Sequence, residues 1–191
     1  MNAFLRLAVL TVALSPALQA CVPLIVGAGV GAGVMMADDR RTNATILEDQ
    51  TVEVKTKNRI EEKYPEQLHV NVTSYNRYVL MTGEAPNETI RQDLTAIALE
   101  VPGVRNVQNE VIIAGNASFT SRSSDTLTTS SVKGRLAQNK DVGANHVKVI
   151  TENGTVFLMG LVTRAEAEAA SQTAATTSGV QRVVKVFEYT D

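Results

Sequence analysis

An α+β fold made of two tandem αββαβ modules, each a small three-stranded mixed sheet with two helices on one face, is predicted by three observations. The second half of the folded region repeats the first at an offset of 76 to 77 residues. Within each copy, short period-two apolar runs sit between stretches carrying a 3.6-residue apolar stripe. Gly-Val pairs fall at matching places in both copies, Gly103-Val104 against Gly179-Val180. The alignment is extensive. Asp49 falls on Asp125, Asn58-Arg59-Ile60 on Gly134-Arg135-Leu136, and His69-Val70-Asn71-Val72 on His146-Val147-Lys148-Val149. Val79-Leu80-Met81-Thr82-Gly83 likewise matches Val156-Phe157-Leu158-Met159-Gly160. Shared order at nearly constant spacing marks a duplication.

In the first copy, Thr51 to Lys63 is helix-compatible, with Asp49 placed to cap its start by accepting backbone N–H bonds. His69 to Ser74 alternates, with Val70 and Val72 on one face, and Tyr78 to Gly83 pairs with it across a turn at Tyr75-Asn76-Arg77. Asn87 opens a second helix whose stripe is Ile90, Leu94, Ile97 and Ala98. Pro102-Gly103 stops it, and Val104 to Ile113 supplies the last strand. The second copy follows suit: helix Thr126 to Asn139, then strands His146 to Thr151 and Val156 to Leu161. Between those strands lies Glu152-Asn153-Gly154, whose Asn-Gly step is a strong hairpin signal. Helix Arg164 to Thr177 ends at Ser178-Gly179, and Val180 to Tyr189 closes the sheet.

Composition narrows the function. A chain of 191 residues, 44% hydrophobic, holds one medium domain or two small ones. Its formal net charge of -2 lacks the basic surplus of a nucleic-acid binder, so no nucleic-acid partner is expected. Aromatic residues are only 4% and Trp is absent, which argues against a stacking platform for bases or sugars. Cys21 is the single cysteine, which excludes an intrachain disulfide and a cysteine-rich zinc site.

The position of that cysteine is informative. Met1 to Ala20 carries one cation, Arg6, then an uncharged apolar run from Leu7 to Leu14, then Ser15-Pro16-Ala17. This is the layout of a secretory signal, and the run is shorter than the ~20 apolar residues of a membrane span. Leu18-Gln19-Ala20-Cys21 resembles the bacterial lipobox. The resemblance implies cleavage after Ala20, a diacylglycerol on the Cys21 thiol and an N-acyl chain on the new terminus; no other cofactor is expected. Several chains, each at ~0.8 kcal/mol per buried methylene, anchor stably where one would not. Val22 rather than Asp after the cysteine is similar to the outer-membrane sorting pattern, with the folded part facing the periplasm. Val22 to Ala37 has glycines at 27, 29, 31 and 33 and no charge before Asp38. It matches neither the dinucleotide nor the Walker phosphate loop and reads as an apolar tether.

The residues Val79 to Gly83 and Val156 to Gly160, the two late Gly-Val pairs, and the run Asn145-His146-Val147-Lys148-Val149 to Leu161-Val162-Thr163 together resemble the BON domain. Two such modules behind a lipobox are similar to the outer-membrane lipoproteins linked to division and outer-membrane stress, a phospholipid-binding group. The resulting organisation is a signal peptide (1–20), a lipidated glycine-rich tether (21–45), BON domain 1 (46–114), a linker (115–124) and BON domain 2 (125–191).

An enzyme is not expected. His69 and His146, the two histidines, occupy equivalent positions, each at a strand start with no acidic or Cys neighbour at ligand spacing. Duplication explains the pair, and no metal is assigned. Ser118, Ser121, Ser123 and Ser124 cluster in the linker without a nucleophile-elbow setting. Glu61-Glu62 and Glu166/Glu168 read as solvated helix faces rather than an acid–base pair.

The binding alternative has a clearer locus. On the helix from Thr126, Val132 and Leu136 should face the sheet, which turns Leu127 outward, with Ser131, Gly134 and Arg135 on its stripe. An apolar side chain, small neighbours and one cation suit a surface dipping into phospholipid headgroups, and a helix N-terminus would favour phosphate. The resemblance implies a lipid-binding face on this helix, usually with an aromatic where this chain has Leu127. Packing of Leu127 against the other module fits the pattern equally well. The first module has Thr51 at that position and is the weaker lipid candidate. Two functions follow: binding of an anionic phospholipid membrane through the second module in support of outer-membrane integrity, or an interaction module for envelope or outer-membrane assembly proteins.

Overall fold

The computed structural model describes residues 39–65, 68–114 and 119–191. The signal peptide, Cys21 and the tether through residue 38 lie outside the described residues, as do linker residues 115–118. Helix α1 (Asn43–Lys63) leads into a hairpin of β1 (His69–Tyr75) and β2 (Tyr78–Ala85), then α2 (Glu88–Leu99), β3 (Asn106–Asn109) and the short β4 (Ile112–Ile113). The second module repeats this with α3 (Phe119–Gln138), a single 3-10 turn, β5 (Val147–Glu152), β6 (Thr155–Val162), α4 (Arg164–Ala175) and β7 (Arg182–Tyr189). In both sheets the first pair is antiparallel and the last strand returns parallel to the second, giving the orders β1-β2-β3 and β5-β6-β7. Each module is the expected αββαβ unit with a mixed sheet.

Both hairpins close on two residues with positive φ, Asn76 and Arg77 in the first, Asn153 and Gly154 in the second. Such turns match the strand twist. The helices α2 and α4 start on side-chain caps, Asn87 accepting from the Ile90 N–H and Thr163 forming a capping box with Glu166.

Two helix starts differ from expectation. Helix α1 begins at Asn43, capped by Thr42, rather than at Thr51, and α3 begins at Phe119 rather than Thr126. Asp49 and Asp125 therefore sit inside their helices and cap nothing there. Both are turned inward, 2% and 7% exposed. Asp49 accepts from the N–H groups of Asn76 and Arg77 and from the Ser74 hydroxyl, while Asp125 accepts from the N–H groups of Asn153 and Gly154. Each carboxylate ties its helix to the hairpin turn of the same module. The expected strand Val104 to Ile113 is interrupted between β3 and β4, where the Asn109 amide bonds the Arg91 carbonyl and the Thr95 hydroxyl of α2.

The central strands are buried on both faces. Val79 and Met81 of β2 point to the α1/α2 layer with Val52, Ile60, Leu94 and Ala98, and Val156, Leu158 and Val162 of β6 point to α3/α4 with Val132, Leu136 and Ala170. The alternate residues Leu80 on β2 and Phe157 and Met159 on β6 join Tyr75 and Val186 in a third core. That core lies between the two sheets, so the modules pack through the faces opposite their helices and form one compact unit. The order of layers is helices, sheet, sheet, helices.

Candidate functional site

Helix α3 presents the expected stripe. Val132 and Leu136 are fully buried, at 0% and 1%, and Leu127 stands outward at 71% exposed. Leu127 therefore packs on neither its own sheet nor the first module. The Ser131 hydroxyl donates to the Leu127 carbonyl, which leaves little of it for an incoming group. A Cβ at Gly134 would meet nothing within 4 Å, so that position is open surface. Arg135 is engaged: its guanidinium donates to the Thr173 carbonyl and to the hydroxyls of Thr176 and Thr177, closing the C-terminal end of α4. The helix N-terminus lies eight residues before Leu127, about 12 Å along the axis, too far for its partial charge to act there.

Charge separates this helix from its counterpart. Arg122, Lys133 and Arg135 are the cations of α3, and Asp125, its one carboxylate, is spent on the hairpin turn. Helix α1 mixes both signs, with Glu48, Glu53, Glu61 and Glu62 beside Lys55, Lys57, Arg59 and Lys63. It also exposes Leu47 at 63% and Val54 at 58%, four residues before and three after Thr51, so the first module does carry apolar protrusions. A cavity of about 530 Å³ adjoins Leu47, Thr51, Lys55 and Arg77.

The seam between the modules is apolar at its centre and polar around it. Lys148 donates to Glu53 and to the Ser74 carbonyl, Asn76 and Arg105 both reach Glu188, and Arg182 pairs with Glu110. Asn71 of the first module donates to Glu152 of the second at 2.8 Å, and Asn153 of the second donates to Glu84 of the first at 2.9 Å. His69, the cross-strand partner of Glu84, places its Nδ1 at 3.1 Å from that carboxylate. Burial pushes the Glu152 carboxyl above its ordinary value, and the nearby Glu84 charge adds to the effect. The two histidines thus have different surroundings: Leu161 stands where the first module has Glu84, and the His146 Nδ1 meets Glu166.

Residues 39–41 lie across this seam. Arg40 bonds the Leu161 carbonyl and makes a two-pronged contact with Glu166 of the second module. Arg41 bonds Asp49 of the first and stacks on the Tyr75 ring at 3.8 Å. The Arg40 hydrogen bonds, with those from Thr163, lower the Glu166 carboxyl to about 2.

The seam was legible in a signal that alternation hides. Val79-Leu80-Met81 and Val156-Phe157-Leu158-Met159 are apolar at both parities, as strands covered on both faces require. The His69–Glu84 pair follows from the hairpin, since a two-residue turn at 76–77 sets those positions opposite. Glu152 carries no such signal, for it arrives from the other module.

Among the described residues no helix is long and apolar enough to cross a membrane. The BON-domain profile matches residues 48–115 and again 124–191. The chain is 41% identical over 176 residues to the outer membrane lipoprotein DolP of Haemophilus influenzae, covering 91% of both chains. It is 33% identical to the 21 kDa hemolysin of Actinobacillus pleuropneumoniae over 79% of each, and 29% identical to the osmotically-inducible protein Y of Escherichia coli over 60% of this chain and 58% of that one. With two copies of the module and that degree of likeness across almost its whole length, the chain belongs to the BON-domain family, among its dual-domain outer-membrane lipoproteins.

Proposed function

We propose that the protein is anchored in the outer membrane by acyl chains on Cys21, faces the periplasm, and binds anionic phospholipid through the outer face of α3 in support of outer-membrane integrity. The observation that carries this reading is Leu127, 71% exposed on a helix whose only carboxylate points inward. An apolar tip can enter the headgroup boundary while Arg135, on the same stripe, stays near the phosphates. The role of Arg135 is then electrostatic, since its donors are held by α4. Residues 22 to 38, whatever path they take, can span at most about 60 Å, so the anchor keeps the α3 face at high local concentration beside the bilayer. A weak contact then suffices.

The reading is one of binding, not catalysis. Backbone amide shifts of the mature chain, followed by NMR during titration with anionic and with zwitterionic micelles, test it. Shifts centred on Leu127, Ser131 and Gly134 with the anionic lipid alone are expected. Shifts elsewhere, or none, would refute it.

A second reading rests on α1. Leu47 and Val54, exposed beside the 530 Å³ cavity, suit a protein partner of the envelope better than a lipid surface, because acids lie among them. The first module would then engage outer-membrane assembly proteins while the second holds the membrane. Crosslinking from residue 47 in intact cells distinguishes this from lipid binding alone.

A further inference from the structure

The seam brings together a set of side chains that neither module holds by itself. His69 and Glu84 come from the first module and Glu152 from the second, and one ligand atom from each lies within 4.8 Å of the other two. Both carboxylates are more than nine-tenths buried, at 1% and 8% exposed. Asn153 donates to Glu84, Asn71 and the Thr82 hydroxyl donate to Glu152, and the His69 ring stands against Glu84. Among the described residues no Lys or Arg forms an ion pair with either. Two carboxylates so close and so dry, without a Lys or Arg partner, are costly unless a positive charge sits between them.

We propose that His69, Glu84 and Glu152 form a binding site for a divalent transition-metal ion, of which Zn²⁺ is the natural probe, and that the ion clamps the two modules together. One imidazole and two carboxylates make a mixed N/O donor set of the kind zinc and its neighbours take, with water completing the coordination. The His69–Glu84 spacing fits. Two ligands bound at about 2.0–2.2 Å around a tetrahedral or octahedral ion lie about 2.8–3.6 Å apart. Nδ1 of His69 and Oε2 of Glu84 are 3.1 Å apart. Asn71 and Asn153 hold the carboxylates from across the seam and so provide the outer layer that fixes ligand orientation. An ion has a way in. His69 is a quarter exposed, and a cavity of about 220 Å³ lies against His69, Asn71 and Glu152, lined also by Arg122, Asp125 and Thr126. The site is not a repeat of an older one in each module. At the position equivalent to Glu84 the second module has Leu161, so only this end of the seam carries it.

The test uses the full lipidated chain in a non-ionic detergent, stripped with a chelator and titrated with ZnCl₂ by calorimetry and by thermal unfolding. One Zn²⁺ per chain and a raised melting temperature are expected. In Glu152→Gln and His69→Gln the affinity should fall at least ~10-fold, and the stabilisation should vanish. His146→Gln, away from the cluster, should bind like the parent. Glu152→Gln keeps an oxygen for Asn71, and a melt without metal checks that it is folded; His69→Gln serves if it is not. Absence of heat and of a melting shift in the parent would overturn the proposal, as would zinc binding that both variants retain at full strength.

Discussion

Asp49 and Asp125 each stand where a sequence pattern places a helix cap, yet each is folded inward onto the turn of its own hairpin. Aspartate is a poor interior helix residue because its side chain competes for backbone donors, and here that tendency is used across the fold. Truncating either leaves buried N–H groups without partners. Asp125→Ala should therefore cost about 2–3 kcal/mol in denaturant unfolding, with Asp125→Asn losing less because the amide oxygen still accepts. Glu166 gives a pH dependence. Its folded carboxyl lies near 2, against 4.5 for the ordinary group, so the stabilisation it confers is complete above about pH 4.5 and lost as the pH falls towards 2. The stability gap between the parent and Glu166→Gln should shrink through that window. A gap unchanged at pH 2 would show that Arg40 does not hold the charge.

At the scale of elements, the hairpins and the α2 and α4 helices were legible because local chemistry decides them: Asn-Gly at 153–154, Asn87 and Thr163 as caps, and single apolar stripes. The starts of α1 and α3 were not, since the capping preference of Asp competes with its use as a turn ligand, and the latter is a tertiary event. The α3 face was readable in part. Periodicity placed Leu127 outward, but nothing local shows that the fork of Arg135 closes α4. Two glycines, one in each copy, behave oppositely under substitution. Gly134 has empty space where a Cβ would stand, and Gly134→Ala should stabilise α3 by about 0.5–1 kcal/mol. At Gly83, with φ +114°, a Cβ would lie 2.0 Å from the His69 carbonyl oxygen, so Gly83→Ala should lower the melting temperature sharply. Thermal unfolding of the two variants reads both signs at once.

At the scale of the molecule, duplication built two modules, and the interior between them turned two similar sheets into one unit. The apolar core of that seam makes the modules interdependent. Phe157→Ala, which opens a cavity there, should cost about 3–5 kcal/mol and lower the unfolding midpoint of both halves together. Two separated transitions in the parent would contradict this. The same packing hides both sheet faces and leaves the helices as the outer surfaces, with an almost acid-free α3 on one side and a mixed-charge α1 on the other. The central claim is that the α3 surface meets the membrane and the α1 surface does not. Flotation of the delipidated chain with anionic vesicles tests it most directly, comparing Leu127→Glu with Leu47→Glu. Loss of flotation in Leu127→Glu and its retention in Leu47→Glu is the predicted result. Equal loss in both, or retention by Leu127→Glu, would contradict it.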